Sequence, residues 1–208
     1  MIINLITVIP ECFYRGYGLK PDSRLKHAGM TNNGDFRMKK RETAVPVICF
    51  VGSSNSGKTT LIEKVIGLLA ARGYDVATVK HTHKNISMDA EGKDSWRHKA
   101  AGAKTVVLAS PSQFAVVSDS GGELSIDDVL ERFVSKADIL IVEGFKRDSY
   151  PKIEVSRNGN GNDLRCLNDP SIIAVASDKL LNLTIPAFDI NDAEGITSFI
   201  EMKFLQTL

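Results

Sequence analysis

The octapeptide GSSNSGKT, Gly52–Thr59, satisfies the pattern G-x-x-x-x-G-K-[ST] in full. A run of buried-strand composition, VICFV at 47–51, precedes it, and an apolar helical period follows over 60–72. A glycine-containing turn between a buried strand and an amphipathic helix is the context in which this pattern binds nucleoside-triphosphate phosphates. The sequence therefore predicts a phosphate-binding loop, residues 52–59, named the P-loop below. A Gly/Ser-rich turn without a ligand is the alternative.

The residue types of the P-loop suit a polyphosphate. Gly52 and Gly57 permit the turn and the close approach of backbone N–H groups to phosphate oxygens. The helix that begins near Lys58 directs its N-terminal dipole at the same oxygens. Lys58 is predicted to bridge the β- and γ-phosphates, and the Thr59 hydroxyl to ligate Mg²⁺. The predicted nucleotide-contacting residues here are Gly52, Ser54, Asn55, Ser56, Gly57, Lys58, Thr59 and Thr60.

An acidic residue at the end of another strand is the second predicted part of the site. Residues 138–145 are DILIVEGF, so Glu143 follows four apolar residues and is expected at the carboxyl edge of the sheet, level with the P-loop. There it would hold Mg²⁺ through water or orient an attacking water. The alternative is a solvated acidic residue at the start of a loop. The flanking strand and Gly144 favour the functional interpretation.

From Val45 onward, short β-rich runs alternate with helical segments, which predicts a three-layer α/β domain over 45–208 around a largely parallel sheet. The segments TVVLA and QFAVV, separated by SPS, are typical of a β-hairpin extension. The predicted strands are 47–51, 75–80, 105–109, 113–117, 139–142, 153–155, 172–176 and 186–190. The predicted helices are 60–72, 94–101, 126–134 and 192–204.

Residues 1–44 differ in composition and residue pattern from the rest of the chain. After an apolar start they are rich in Gly, Asn, Lys and Arg, with no sustained helical or alternating period. A poorly ordered N-terminal extension is therefore expected. Translation from Met30 or Met38 is an open alternative, in which the leader does not belong to the native protein.

Composition narrows the class of protein. The chain has 208 residues and a formal net charge of +1, so its overall field favours neither nucleic acid nor an anionic membrane as partner. Its three cysteines form no C-x-x-C pair, which fits a reducing compartment. The apolar runs are strand-sized, and the apolar start lacks a basic leader. A cytoplasmic protein is expected.

Further motifs follow the P-loop in order, and together they resemble one family. They are VKHTH at 79–83, Asp89, GKDS at 92–95, Arg97-His98, AGA at 101–103 and VEGFK at 142–146. This set is similar to the molybdopterin-guanine dinucleotide biosynthesis protein B (MobB) family, from about Val45 to the C-terminus. The resemblance implies the fold of the signal-recognition and dethiobiotin-synthetase branch of P-loop proteins. It also implies a weakly hydrolytic, GTP- and Mg²⁺-binding homodimer. Such a protein assists the MobA-type guanylyltransferase that attaches GMP to molybdopterin, and meets molybdopterin-bearing proteins.

Four residues outside the P-loop and Glu143 are further candidates. Lys80 and His81 end the second predicted strand and are expected beside the P-loop, aimed at phosphate or cofactor; a surface histidine is the alternative. Asp94 opens a helix, where it is either a cap or, as the resemblance implies, a carboxylate that reaches Mg²⁺. With Lys58 and Glu143 it forms the predicted catalytic set. Asp178 follows a late strand and is the candidate for guanine recognition, although the usual Asn/Thr-Lys-x-Asp element is missing. Weaker candidates are His83, Asp89 and Arg97.

Two other classes of function stay open. A small-molecule kinase or ATP-dependent ligase would need an acceptor pocket, which the loop 147–164 could supply. The basic residues in and around it are interpreted either as a solvated surface or as a dock for a pterin phosphate: Lys146, Arg147, Lys152, Arg157 and Arg165. A pure interaction module, with a structural nucleotide, is the third possibility. The hairpin at 105–117 is the expected dimer edge, since an antiparallel edge invites strand addition.

Overall fold

The computed structural model describes residues 45–82, 90–134, 136–157, 164–165, 168–179 and 181–206. The predictions made for residues 1–44, His83 and Asp89 lie outside these ranges, as does most of the loop 147–164 beyond Arg157.

A six-stranded, fully parallel sheet forms the centre of the domain, in the order β2-β5-β1-β6-β7-β8. Its strands are β1 (Val47–Val51), β2 (Val76–Lys80), β5 (Ile139–Glu143), β6 (Lys152–Ser156), β7 (Ile172–Ser177) and β8 (Ala187–Asp189). Strands β1 and β5 are apolar on both faces, as covered parallel strands must be. The α/β class and the parallel sheet predicted from the sequence are confirmed.

Helices cover the sheet on both faces. On one face, α1 (Lys58–Ala71) and α4 (Ala193–Phe204) contribute to a core that includes Phe50 and Ile141. On the other face, α3 (Ile126–Phe133) packs against Cys49 and Val142. Neighbouring residues of one strand thus enter different cores, because side chains alternate across a sheet. The predicted three-layer arrangement is confirmed.

The ends of these helices follow from local chemistry. Gly73, with φ of +90°, follows α1 and suits a left-handed C-terminal turn. Ser125 is the N-cap of α3: its hydroxyl accepts from the Asp128 backbone N–H at 3.1 Å, and the Asp128 carboxylate accepts from the Ser125 N–H at 3.0 Å. This reciprocal capping box starts α3.

A separate two-stranded antiparallel hairpin follows the short helix α2 (Asp94–Ala100). It consists of β3 (Thr105–Ala109) and β4 (Phe114–Ser118). The Thr105 and Ser118 hydroxyls, 2.7 Å apart, share a hydrogen bond across it. The predicted hairpin is confirmed, and its second strand begins one residue later than predicted. It carries four large exposed apolar side chains: Val107, Leu108, Phe114 and Val116.

Candidate functional site

The P-loop runs from the carboxyl end of β1 into α1, and its backbone needs glycine at both ends. Gly52 has φ of +150°, and a Cβ there would collide with the carbonyl oxygen of Val155 on the neighbouring strand β6. Gly57 has φ of +91° and is the N-cap residue of α1. Side chains at these positions are excluded by strain and, at Gly52, by contact. The backbone N–H groups at the start of α1 therefore face the loop without an obstructing Cβ.

Lys58 folds back over the P-loop. Its Nζ lies 2.6 Å from the Ser53 carbonyl oxygen and 3.4 Å from both the Gly52 carbonyl and Ser56 Oγ. Burial lowers the pKa of the Lys58 ammonium, and the Glu143 carboxylate opposes that shift. Ser56 is buried under the loop, while the side chains of Ser54, Asn55 and Thr60 are exposed. The lysine thus places a partly desolvated cation at the mouth of the loop.

Glu143 is brought to the P-loop as predicted. It ends β5, and its carboxylate accepts from the Thr59 hydroxyl, with Oγ1 3.0 Å from Oε1 and 3.2 Å from Oε2. Lys80 ends β2 in register with Glu143, and its Nζ lies 3.2 Å from Oε2. Three predicted site residues from three separate elements thus meet at one point. A hydroxyl beside a carboxylate is a donor set that Mg²⁺ accepts together with phosphate oxygens.

His81 lies next to this cluster but turns its ring elsewhere. Its backbone N–H donates to the Glu143 carbonyl at 2.9 Å, which fixes the start of the loop after β2. Its Nε2 lies 2.5 Å from Glu123 Oε1, and its ring packs 4.6 Å from that of Phe145. Glu123 belongs to no recognisable sequence motif and lies in the loop before α3. His81 therefore ties the loop before α3 to the edge that carries Glu143.

Asp94 lies at the first position of α2. Its side chain is 90% exposed, and its ion-pair partner is Arg97, at 3.8 Å on the same helix. Lys93 occupies the N-cap, so Asp94 serves the helix dipole rather than the cap itself. Within the described residues, no group of three His, Cys, Asp or Glu side chains is arranged to hold a metal. The geometry thus groups Thr59 with Glu143, and leaves Asp94 on a separate helix.

Asp178 directly follows β7, at the same carboxyl edge of the sheet as the P-loop. Its neighbour Ser177 is in register with Asp189 of β8, and the Ser177 carbonyl oxygen accepts from the Ile190 backbone N–H at 3.0 Å. Strand β7 lies two positions from β1, which corresponds to about 10 Å. Asp178 is exposed there. A nucleotide bound at the P-loop can span the separation of about 10 Å between β1 and β7.

Lys152, interpreted from the sequence as part of a basic surface or dock, is neither. Its side chain is 1% exposed at the start of β6, and it pairs with Asp169 at 3.2 Å. It also donates to Ser171 Oγ and to the Asp148 carbonyl oxygen. A buried ammonium needs such partners to offset its desolvation. Lys152 therefore fastens two loops at the amino end of the sheet, away from the P-loop.

A parallel sheet whose central strand runs through a G-x-x-x-x-G-K-T loop into a helix, with a carboxylate on the adjoining strand, defines a P-loop nucleotide-binding protein. Residues 47–178 match the family model described as "Molybdopterin guanine dinucleotide synthesis protein B". The chain belongs to this MobB family, as its motifs predicted.

Named relatives agree with this assignment. The molybdopterin-guanine dinucleotide biosynthesis adapter protein of Escherichia coli is 39% identical over 163 residues, which cover 76% of this chain and 93% of that protein. The adapter protein of Haemophilus influenzae is 37% identical, over 80% of this chain and 93% of the relative. The crystal structure of Bacillus subtilis MobB matches with a TM-score of 0.64 and 27% identity, over 76% of this chain and 98% of that chain. A crystal structure of molybdopterin-guanine biosynthesis protein B matches with a TM-score of 0.62 and 30% identity, over 76% of this chain and 99% of that chain.

None of the helices in the described ranges has the length and apolar character needed to cross a membrane.

Proposed function

We propose that this protein is a GTP-binding adapter of molybdenum-cofactor biosynthesis that assists the guanylylation of molybdopterin to molybdopterin-guanine dinucleotide. The observation that carries the proposal is the Thr59–Glu143 contact beside a complete P-loop. The contact brings together the residues that are proposed to bind the phosphates and the metal. Membership of the MobB family, whose relatives are named adapter proteins of this biosynthesis, supplies the context.

The residues present fit GTP with Mg²⁺. The bare backbone at Gly52 and Gly57 leaves room for phosphate oxygens, and Lys58 supplies the positive charge. Thr59 and Glu143 would hold Mg²⁺, which prefers one or two protein oxygens together with phosphates and water. When bound, the metal neutralises charge on the phosphates. Asp178 is the proposed contact to the guanine base.

The same contacts favour weak hydrolysis as part of this proposal. Glu143 is engaged by Thr59 and Lys80, so its carboxylate is better placed to hold a metal than to take a proton from water. Asp94 is proposed as a further carboxylate of the site because of the family resemblance. Its side chain is exposed and pairs with Arg97, so the geometry supports Asp94 less than it supports Glu143. Slow turnover suits a protein that presents a nucleotide to a partner.

The proposed partners are a MobA-type guanylyltransferase and molybdopterin-bearing proteins in the cytoplasm. We also propose a homodimer. Its support is the exposed apolar surface of the β3–β4 hairpin, on which Val107 is 57% and Phe114 70% exposed. Exposed apolar side chains clustered on an antiparallel hairpin are typical of a protein–protein contact.

A nucleotide titration tests the proposal. Dissociation constants for GTP and ATP, measured by calorimetry with Mg²⁺ and repeated with molybdopterin, are expected to favour GTP. Steady-state hydrolysis by the protein alone is expected to stay far below the ordinary enzyme rate of about 10 s⁻¹. Fast turnover with a small-molecule acceptor would instead indicate a kinase or ligase. Failure to bind any nucleoside triphosphate would contradict the nucleotide site itself.

A further inference from the structure

Arg157 lies where the P-loop meets the strand next to it. It directly follows β6, which pairs in parallel with β1, so the two carboxyl ends lie side by side. A Cβ built on Gly57 would lie 3.4 Å from Arg157 Nη2 and 3.8 Å from its Cζ. The guanidinium is therefore packed against the bare backbone of the last P-loop glycine.

The positive charge of Arg157 is not neutralised by a carboxylate of the described residues. In the ranges that the structure describes, no ion pair to Arg157 is present, and its side chain is exposed. By contrast, Arg72 pairs with Glu194 and Glu201, and Arg132 pairs with Asp128. A guanidinium stays protonated at any physiological pH and offers a planar fork of donors to phosphate oxygens.

The sheet order indicates which part of a nucleotide the guanidinium would meet. Strand β5, with Glu143, lies on one side of β1, and β6, with Arg157, lies on the other. The Thr59–Glu143 contact, which would hold the metal, is on the β5 side, so the γ-phosphate would lie there. The proposed base contact, Asp178, lies further along the β6 side, at the end of β7. Arg157 thus occupies the path between the β-phosphate and the base.

We infer that Arg157 is a binding residue for the α- and β-phosphates of the nucleotide, acting from the side of the P-loop opposite Glu143. The inference rests on the proposed nucleotide site and adds a second cation to it besides Lys58. The two sets of residues would bind different parts of the nucleotide. Glu143 and Thr59 would bind the metal and the γ-phosphate, whereas Arg157 would bind the α- and β-phosphates, which nucleoside di- and triphosphates share.

The test is a calorimetric titration of GTP and GDP into the parent, Arg157→Ala, Arg157→Lys and the control Arg132→Ala. Arg132 is an equally charged residue on α3, paired with Asp128. Arg157→Ala is expected to weaken GTP and GDP by the same factor, about ten-fold or more for a charge-assisted contact. Arg157→Lys should recover part of the loss, and Arg132→Ala should match the parent. Circular dichroism checks that each variant is folded.

The possible outcomes distinguish a failure of the Arg157 assignment from a failure of the proposed nucleotide site. If the parent binds GTP and GDP and Arg157→Ala binds both as tightly as Arg132→Ala, Arg157 is not a phosphate ligand, while the nucleotide site stands. A loss for GTP without a loss for GDP places the guanidinium at the γ-phosphate and overturns the inferred position. A parent that binds neither nucleotide contradicts the proposed function, and this inference with it.

Discussion

The Thr59 hydroxyl donates to the Glu143 carboxylate, with 3.0 Å between Oγ1 and Oε1, across 84 positions of the sequence. Thr59 belongs to the first turn of α1 and Glu143 to the last position of β5. They meet because β1 and β5 are parallel neighbours, with Phe50 in register with Glu143. The contact couples the phosphate-binding loop to the strand that supplies the acidic group.

Replacing Glu143 should separate metal-dependent from metal-independent binding. Glu143→Gln keeps a hydrogen-bond acceptor for Thr59 but loses the negative charge, so the gain in GTP affinity on adding Mg²⁺ is expected to shrink by about ten-fold or more. Affinity in EDTA should stay within a few-fold of the parent. Titrations with and without Mg²⁺ measure both values. Glu63→Gln, at an exposed position of α1, is the matched control. An unchanged Mg²⁺ effect would remove Glu143 from the metal site.

Lys58→Ala should abolish tight triphosphate binding and leave the fold intact. The side chain is the mobile cation of the P-loop and bonds only to loop oxygens in the described structure, so its loss affects no core contact. Calorimetry with GTP and circular dichroism measure the two effects. Lys64→Ala, an exposed lysine of the same helix, serves as control. A folded Lys58→Ala protein with parental GTP affinity would show that the site is assigned wrongly.

Asp178→Asn should change nucleotide choice more than overall affinity. Phosphate contacts are the same for GTP and ATP, whereas a carboxylate facing two guanine donors discriminates between them. The loss of such a charge-assisted pair is worth about 1.5–3 kcal/mol, or roughly ten- to a hundred-fold in the GTP/ATP ratio. Dissociation constants for both nucleotides decide the matter. An unchanged ratio would exclude Asp178 from the base site.

Phe114→Ser should weaken self-association. The side chain is 70% exposed on the β3–β4 hairpin, so the change removes contact area from a dimer but none from the core of one subunit. Sedimentation velocity over a dilution series is expected to show the parent as a dimer and the variant dissociating at higher concentration. Phe133→Ser changes an equally large, 62% exposed residue on α3, and this variant should dissociate at the same concentration as the parent. Equal effects of both changes would argue against the hairpin as the contact.

Cys49 should resist alkylation while the protein is folded. Burial raises the pKa of its thiol to about 12, so the reactive thiolate is rare at pH 8. Because the folded pKa exceeds the unfolded value, the associated stability is complete below pH 9 and is lost as the pH rises through 12. Mass spectrometry after iodoacetamide treatment is expected to find Cys49 modified only in denaturant. Rapid labelling under native conditions would show that β1 opens frequently.

The sequence predicted those site residues whose positions depend on strands alone. Lys80 and Glu143 each end a strand, and the carboxyl ends of parallel strands share one edge, so both were expected beside the P-loop. The contact between them depends on the adjacency of β2 and β5, which the structure shows. Glu123 escaped prediction, and Arg157 was interpreted only as part of a solvated surface or a pterin-phosphate dock, because their contacts, to His81 and Gly57, depend on loop conformation. No periodic pattern encodes that conformation.

The burial of Lys152 could not be predicted from the sequence for a different reason. Lysine is rarely buried, so a basic residue near other basic residues was interpreted as solvated or ligand-binding. Its burial depends on Asp169 and Ser171, which reach it from the loop before β7. Partners so far along the chain cannot be matched to it by spacing.

The central position of β1 has a consequence for synthesis. It is the first strand of the described domain to leave the ribosome, yet its hydrogen-bonding partners β5 and β6 come much later: Val47 pairs with Leu140, and Val51 with Glu154. Until they emerge, the segment VICFV has both edges open, with high β-propensity and no charge. Long-range parallel pairing is slow to form. A nascent chain stalled before residue 139 should therefore be a preferred chaperone client and prone to aggregate, whereas release after β6 ends that exposure.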